Sequence, residues 1–395
     1  MHKLDERLSN TLNDLRSAGT YKVLRNIAAP MAPVTVIEGI GEVLVFCSNN
    51  YLGLADHPAV LEAGIAGLRQ YGAGTASVRF ICGSFECHRA LEQKVAEFFG
   101  AEAALTYTSC WNANEGLLPA ITEAGDAMVS DELNHASIID AGRLSRASRT
   151  VFAHSDMDAL ASALLETGAA PVKLVVTDGV FSMEGDVAEL AKMRQICDRH
   201  DAVLIVDDSH GTGVLGENGR GTHEYHGLDC GTADGVDIIT STFGKALGGG
   251  NGGFVVGSTD LIDYLVQRSR PQLFSNALAP PTACAALKAL EILEQEPERV
   301  QRLHANVKQM RAGLRSLGYD VKDSPTGIIP IIIGDTAAAI QMSERLLQMG
   351  IFIVGFGFPV VPEGHARLRV QMSAAHTDAQ IARSLDAFDQ LKRSV

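Results

Sequence analysis

The chain has 395 residues, more than one hydrophobic core ordinarily serves, so two lobes are expected. Apolar residues make up 46% and charged residues 20%, with 39 Gly and 13 Pro in no triplet period, which excludes a disordered or collagen-like chain. The 33 Lys and Arg against 47 Asp and Glu leave a net charge of −14, which excludes general nucleic-acid binding and leaves room only for a local basic pocket around one anionic ligand.

Residues 1–30 read as a helical arm, with Leu4, Leu8, Leu12 and Leu15 near helical spacing. Two short strands are expected within 34–45, ending at the polar turn Cys47-Ser48-Asn49-Asn50-Tyr51. Helical stretches at 59–69, 88–99, 112–121, 137–145 and 187–200 then alternate with apolar runs at 104–106, 173–177, 203–206, 236–240 and 254–257. Continuous apolar runs alternating with helices predict an α/β fold with a doubly wound, mostly parallel sheet covered on both faces. Beyond about 280 the pattern changes to two long helices (281–296, 298–317), strands at 328–333, 351–354 and 367–371, and a closing helix at 378–392. The expected organisation is an arm with short strands over 1–50, a large domain over 51–280 and a smaller α+β C-terminal domain over 281–395.

Seven Cys, at 47, 82, 87, 110, 197, 230 and 284, form no CxxC pair. The start Met1-His2-Lys3-Leu4-Asp5-Glu6-Arg7 lacks the apolar core of a signal peptide, so reduced thiols in a cytoplasmic protein are expected. No apolar run approaches the ~20 residues of a membrane helix, so no membrane partner is expected.

Chemistry concentrates at four places. In Thr242-Phe243-Gly244-Lys245-Ala246-Leu247-Gly248 a lysine follows a strand and precedes a glycine run that lets a ligand approach. Residues 248–253 fit G-x-G-x-x-G, but a strand-like run follows where a dinucleotide motif needs a helix, and the Walker pattern fails for want of Ser or Thr after the lysine. Val206-Asp207-Asp208-Ser209-His210 ends a strand in ionisable groups, at the edge where such sheets bind ligands. A metal at Asp207, Asp208 and His210 finds no matching ligands elsewhere, so none is expected. Asn134-His135-Ala136 precedes a helix. In Thr108-Ser109-Cys110-Trp111, which holds the only Trp of the chain, a strand meets a helix N-terminus able to face a phosphate. Cys110 with His135 leaves open a second chemistry, a Cys–His acyltransferase working without a cofactor, against the plainer reading of Cys110 as a small buried residue.

These stretches, with Asn49-Asn50-Tyr51-Leu52-Gly53-Leu54, Ala76-Ser77-Val78-Arg79-Phe80-Ile81-Cys82-Gly83, Asp178-Gly179-Val180-Phe181-Ser182-Met183, Phe274-Ser275-Asn276 and Gln371-Met372-Ser373-Ala374-Ala375-His376, resemble the α-oxoamine synthases over nearly the whole chain. These are pyridoxal 5′-phosphate (PLP) enzymes of fold type I that condense an amino acid with an acyl-CoA. The resemblance implies that Lys245 holds the cofactor as a Schiff base and later moves a proton. It also implies that Asp207, three residues before His210, pairs with the pyridine nitrogen and that His210 sits near the phenolic oxygen. His135 would stack on the ring, Ser182 would lie close to it, and the backbone of Cys110 and Trp111 with the Thr242 hydroxyl would serve the phosphate. Ser275 and Asn276 would reach the phosphate of a neighbouring subunit, which implies a homodimer with shared active sites. Arg369 and Asn50 would hold the amino-acid carboxylate, Arg369 in a bidentate manner suited to its planar group. The branch of the family matched best implies glycine and acetyl-CoA as substrates and 2-amino-3-oxobutyrate and CoA as products. The alternative within the family is a longer acyl-CoA or alanine, as in 8-amino-7-oxononanoate synthesis.

Overall fold

The computed structural model describes residues 2–393 apart from 233, 249 and 359. Its strands in chain order are β1 (Val34–Ile37), β2 (Gly41–Val45), β3 (Ala103–Tyr107), β4 (Ala127–Asp131), β5 (Ser148–Phe152), β6 (Lys173–Asp178), β7 (Val203–Asp207), β8 (Ile238–Thr242), β9 (Gly253–Gly257), β10 (Ile328–Gly334), β11 (Ile351–Phe352), β12 (Val354–Phe356) and β13 (Ala366–Gln371). Seven of them form one sheet in the order β3-β9-β8-β7-β6-β4-β5. Strands β8, β7, β6, β4 and β5 run parallel, and β9 is antiparallel to both its neighbours. The fold is α/β with a mostly parallel sheet, as the sequence predicts.

Why these strands are apolar throughout follows from their two-sided burial. Val129, Val175, Leu204, Val206, Ile239 and Val256 enter one core, and their neighbours Met128, Leu174, Val176, Ile205, Ile238 and Val255 enter another on the opposite face. Each such side chain contributes roughly 1.5–3 kcal/mol by leaving water. Helices cover both faces; Cys110–Ile121 is one of those on the second. The same alternation separates the two adjacent acids after Val206. Asp207 turns toward the Cys110–Ile121 helix and Asp208 turns away, toward Thr212 and Thr222.

The terminal regions differ from the expectation in detail. The N-terminal helix covers only Lys3–Ser17, with no buried residue, and Gly19 at φ +67° lies just beyond it. Residues 351–354 form two strands rather than one. β11 pairs in parallel with β2, so the N-terminal strands share a sheet with a C-terminal one, while β12 pairs with β13. The remaining three-stranded sheet has the order β10-β13-β12. Among the described residues no helix is long and apolar enough to cross a membrane.

Candidate active site

Three adjacent parallel strands set the site. Asp178 at the end of β6, Asp207 at the end of β7 and Thr240 on β8 are register partners. The carboxyl ends of the strands therefore bring two carboxylates side by side, and the chain leaving β8 delivers Lys245 to the same edge. A cavity of about 190 Å³ opens there, lined by Ser109, Cys110, Trp111, His135, Ser137, Asp178, Val180, Ser182, Asp207, Ser209, His210, Thr242 and Lys245. Eight of the residues singled out from sequence thus share one cavity, although they are spread over more than 130 positions of the chain.

Each side chain is held by its neighbours. Asp207 Oδ2 accepts from Asn114 Nδ2 at 2.7 Å, and its Oδ1 accepts from the Ser209 backbone N–H at 3.1 Å. The Ser109 hydroxyl caps the Cys110–Ile121 helix by accepting from Asn112 N–H at 3.1 Å. The first N–H groups of that helix, at Cys110 and Trp111, have no preceding turn to bond to. Strand β9 must pass close to this helix start: a Cβ on Gly253 would strike the backbone of Ser109 and Cys110. Thr242 Oγ1 accepts from Gly244 N–H and donates to the Gly252 carbonyl, both at 2.9 Å, which pins the turn before Lys245. The His135 backbone N–H donates to Asp178 Oδ2 at 2.9 Å, and its ring stands edge-on to Trp111 with centroids 6.0 Å apart.

The electrostatics are those of a crowded, half-dry pocket. Burial lowers the pKa of the Lys245 ammonium against the pull of Asp207, which favours the neutral amine. Burial, reinforced by the positive charges of Lys245, Arg369 and His135, holds His210 well below the ordinary imidazole range. The packing around the cavity lowers His135 despite Asp207, with Lys245 adding to it. Asp178 is pushed well above the carboxylate range by burial and then by Asp207. Cys110 is pushed well above the ordinary thiol range by the same two causes, so it stays a thiol and makes a poor nucleophile.

Four sequence candidates lie outside the cavity lining. Arg369, on β13, donates from Nη1 to the Ser182 carbonyl at 2.9 Å and lies 4.7 Å over the Phe356 ring. Its buried Nε has no hydrogen-bond partner, and burial lowers its pKa. Asn50 spends its Oδ1 on the Leu54 and Ala55 N–H groups and one amide hydrogen on the Met31 carbonyl, which leaves one hydrogen for a ligand. Ser275 and Asn276 follow the short helix Arg270–Phe274 and are exposed. Sequence reasoning assigned no role to Asp178, Asn114, Ser137, Ser209, Tyr51 or Gln371. Only Asp178 carried a usable signal, as an acid ending an apolar strand next to the strand of Asp207.

The residues present fit the cofactor implied by the resemblance. A lysine with a lowered pKa and a hydrogen-bonded carboxylate face one small cavity, a capped helix N-terminus stands at its side, and an orphaned guanidinium nitrogen waits nearby. That set suits a flat ring with a basic nitrogen, a carbonyl and a phosphate, together with a carboxylate substrate.

Fold and cavity together define the class: an α/β protein whose lysine and acid meet at the carboxyl edge of a parallel sheet. The chain matches the family Aminotransferase class I and II over residues 41–388. It is 46% identical over 393 residues to 2-amino-3-ketobutyrate coenzyme A ligase of Salmonella typhimurium, covering 99% of this chain and 98% of that protein. It is 45% identical over 393 residues to 8-amino-7-oxononanoate synthase of Symbiobacterium thermophilum, covering 99% of each. A serine palmitoyltransferase from S. paucimobilis, described with bound PLP–myriocin aldimine, has a TM-score of 0.92 at 29% identity over 100% of this chain and 99% of that one. The chain belongs to the aminotransferase class I and II family and, within it, to the α-oxoamine synthases.

Proposed function

We propose that the chain is a PLP-dependent glycine C-acetyltransferase, condensing glycine with acetyl-CoA to 2-amino-3-oxobutyrate and CoA. The observation that carries this is the meeting of Lys245 and Asp207 at one cavity, in a chain 46% identical along its length to a 2-amino-3-ketobutyrate coenzyme A ligase. Bound there, PLP supplies an electron sink that stabilises negative charge on the amino-acid α-carbon. Lys245 would hold it covalently, Asp207 would keep the ring nitrogen protonated and His210 would serve the phenolic oxygen. His135 would cover the ring, with Ser182 beside it. The backbone N–H groups of Cys110 and Trp111 would hold the phosphate, joined by the Thr242 hydroxyl once it turns its hydrogen away from the Gly252 carbonyl, and Ser275 and Asn276 would reach the phosphate of the neighbouring subunit in a homodimer.

Arg369 and the free amide hydrogen of Asn50 grip the glycine carboxylate and orient the Cα–H bond toward Lys245. Lys245, freed as an amine once the glycine nitrogen has taken its place and with its pKa lowered by burial, removes that proton at Nζ. The α-carbon then forms a bond to the acyl carbon, the C–S bond breaks, and the thiol of CoA leaves. His135, at the cavity mouth, donates a hydrogen bond to the acyl oxygen as charge develops on it. We assign the arm to 1–50, the large lobe to 51–280 and the small lobe to 281–395. Free thiols at all seven cysteines suit a reducing compartment, and the cytoplasm is the proposed location.

A second reading has support of its own: 45% identity to an 8-amino-7-oxononanoate synthase fits a longer acyl-CoA or alanine. Trp111 bears on the choice, because a large ring at the cavity limits room for an acyl chain. The test is thiol release by the purified protein from acetyl-CoA and from longer acyl-CoA esters, each with glycine, with alanine and with no amino acid. Release that needs glycine and favours acetyl-CoA is expected. Preference for long chains or alanine would move the chain to the second reading, and release without any amino acid would revive a cysteine nucleophile.

A further inference from the structure

Between His210 and Arg369 runs a hydrogen-bonded chain with a fixed direction. Gln371, on β13 two residues after Arg369, accepts from Arg369 Nη2 through Oε1 at 3.4 Å. Its Nε2 donates to Tyr51 Oη at 3.0 Å and to Asn49 Oδ1. A guanidinium has only donors, so the amide oxygen must face Arg369 and the amide hydrogens must face Tyr51. Tyr51 Oη lies 2.9 Å from His210 Nδ1. With one lone pair taken by Gln371, the phenol has a single hydrogen left to place, and among the described residues its acceptor is His210 Nδ1. The neutral imidazole must then carry its own hydrogen on Nε2, the nitrogen that has no hydrogen-bond partner among the described residues. Tyr51 and Gln371 are each 1% exposed, so water does not rearrange the chain. The protonation states agree: burial pushes Tyr51 up to about 12 and holds His210 well below the ordinary imidazole range.

We propose that Tyr51 and Gln371 are positioning residues that relay the donor direction of Arg369 to His210 and hold it as the Nε2–H tautomer, a hydrogen-bond donor into the cavity. What that donor meets, the phenolic oxygen of the cofactor, rests on the function proposed above; the tautomer itself does not. The relay also ties the residue gripping the substrate carboxylate to the residue beside the cofactor, across the β13 side and the β7 side of the site.

The test reads the tautomer directly. Holoenzyme carrying ¹⁵N-labelled histidine is examined by NMR, with the His210 signals identified by their loss in His210→Asn. A protonated Nε2 and a bare, hydrogen-bonded Nδ1 are expected. In Gln371→Glu the carboxylate has no hydrogen to give, so the Tyr51 hydroxyl turns toward it and His210 Nδ1 must donate to Tyr51; the proton is expected to move to Nδ1. Tyr51→Phe, which leaves Arg369 and Gln371 in place, covers the case that the carboxylate prevents folding. It is expected to shift the Nδ1 signal and to lower kcat about tenfold, the worth of one hydrogen bond, with KM for glycine unchanged. A protonated Nδ1 in the parent protein, or an unchanged tautomer and Nδ1 signal in the variants that fold, overturns the proposal. Failure of the functional reading shows separately, as a parent protein without cofactor absorbance or glycine-dependent thiol release.

Discussion

Two carboxylates stand next to each other at the ends of β6 and β7, and their environments make them unequal. Asp178 is pushed well above the carboxylate range by burial and by Asp207, which favours its protonated form, the form an amide imitates. Asp207 accepts from Asn114 and from Ser209 N–H, a setting built for an acceptor. Asp178→Asn is therefore expected to keep kcat within about tenfold, because an amide oxygen still accepts from His135 N–H. Asp207→Asn is expected to lower kcat by about two to three orders of magnitude, the usual cost of removing a preorganised electrostatic partner. Steady-state kinetics on the two variants decide it, and equal losses would refute the assignment. Lys245→Ala is expected to abolish turnover and covalent retention of the cofactor, read by absorbance after borohydride treatment and gel filtration. Asp178, though it ends an apolar strand, was passed over, whereas Asp207 and Lys245 were legible because each sits at or just beyond a strand end. Tyr51 and Gln371 were not, since they meet only when a segment near residue 50 packs against β13, 320 positions away. Nothing local marks either of them as polar residues of a site.

One imidazole ties several elements together beside the cavity. His154, between β5 and the helix Met157–Glu166, places Nδ1 3.0 Å from Asp131 at the end of β4 and Nε2 2.7 Å from Asp186 in the segment after β6. Its ring stands edge-on to Phe181 at 4.4 Å. The segment it pins carries Ser182, whose carbonyl accepts from Arg369. Burial acts to lower its pKa, but the hydrogen bonds and charges of Asp131 and Asp186 outweigh it and raise His154 to about 10. A folded-state pKa above the ordinary 6.5 stabilises the fold fully below that value, less as pH rises, and not at all above about 10. His154→Gln is therefore expected to cost roughly 2–3 kcal/mol at pH 6 and to approach the parent near pH 10, by urea unfolding at both. A pH-independent difference would mean that the ring acts by packing alone. The elements it joins also show where sequence patterns stop. β6 and β7, buried on both faces, were plain as apolar runs, whereas β5 is an edge strand with a mostly open face and β4 ends in polar Ser130 and Asp131. The helices Met157–Glu166, Thr259–Arg268 and Thr336–Gln348, each burying only two or three side chains, were missed as well.

At the scale of the whole molecule, two residues of the proposed phosphate site lie away from the cavity. Ser275 and Asn276 follow a short helix, are exposed, and do not line the cavity of their own subunit. Nearby, Phe80, Ile81 and Phe274 are 62%, 65% and 69% exposed, an apolar surface on the same stretches that carry the family resemblance. The proposed dimer, in which each subunit would complete the other's phosphate site, would account for both facts. It makes a prediction that neither packing nor chemistry alone would make. Chains carrying Lys245→Ala and chains carrying both Ser275→Ala and Asn276→Ala are each expected to be impaired as homodimers. When the two are unfolded and refolded together, half of the random dimers pair one chain of each kind. Every mixed dimer then contains one site with Lys245 from one chain and Ser275 and Asn276 from the other, and one site with neither. Activity should therefore return to about a quarter of the parent value, by the symmetry of a shared two-site dimer. Recovery no greater than the average of the two parents would mean that each site is built within one chain.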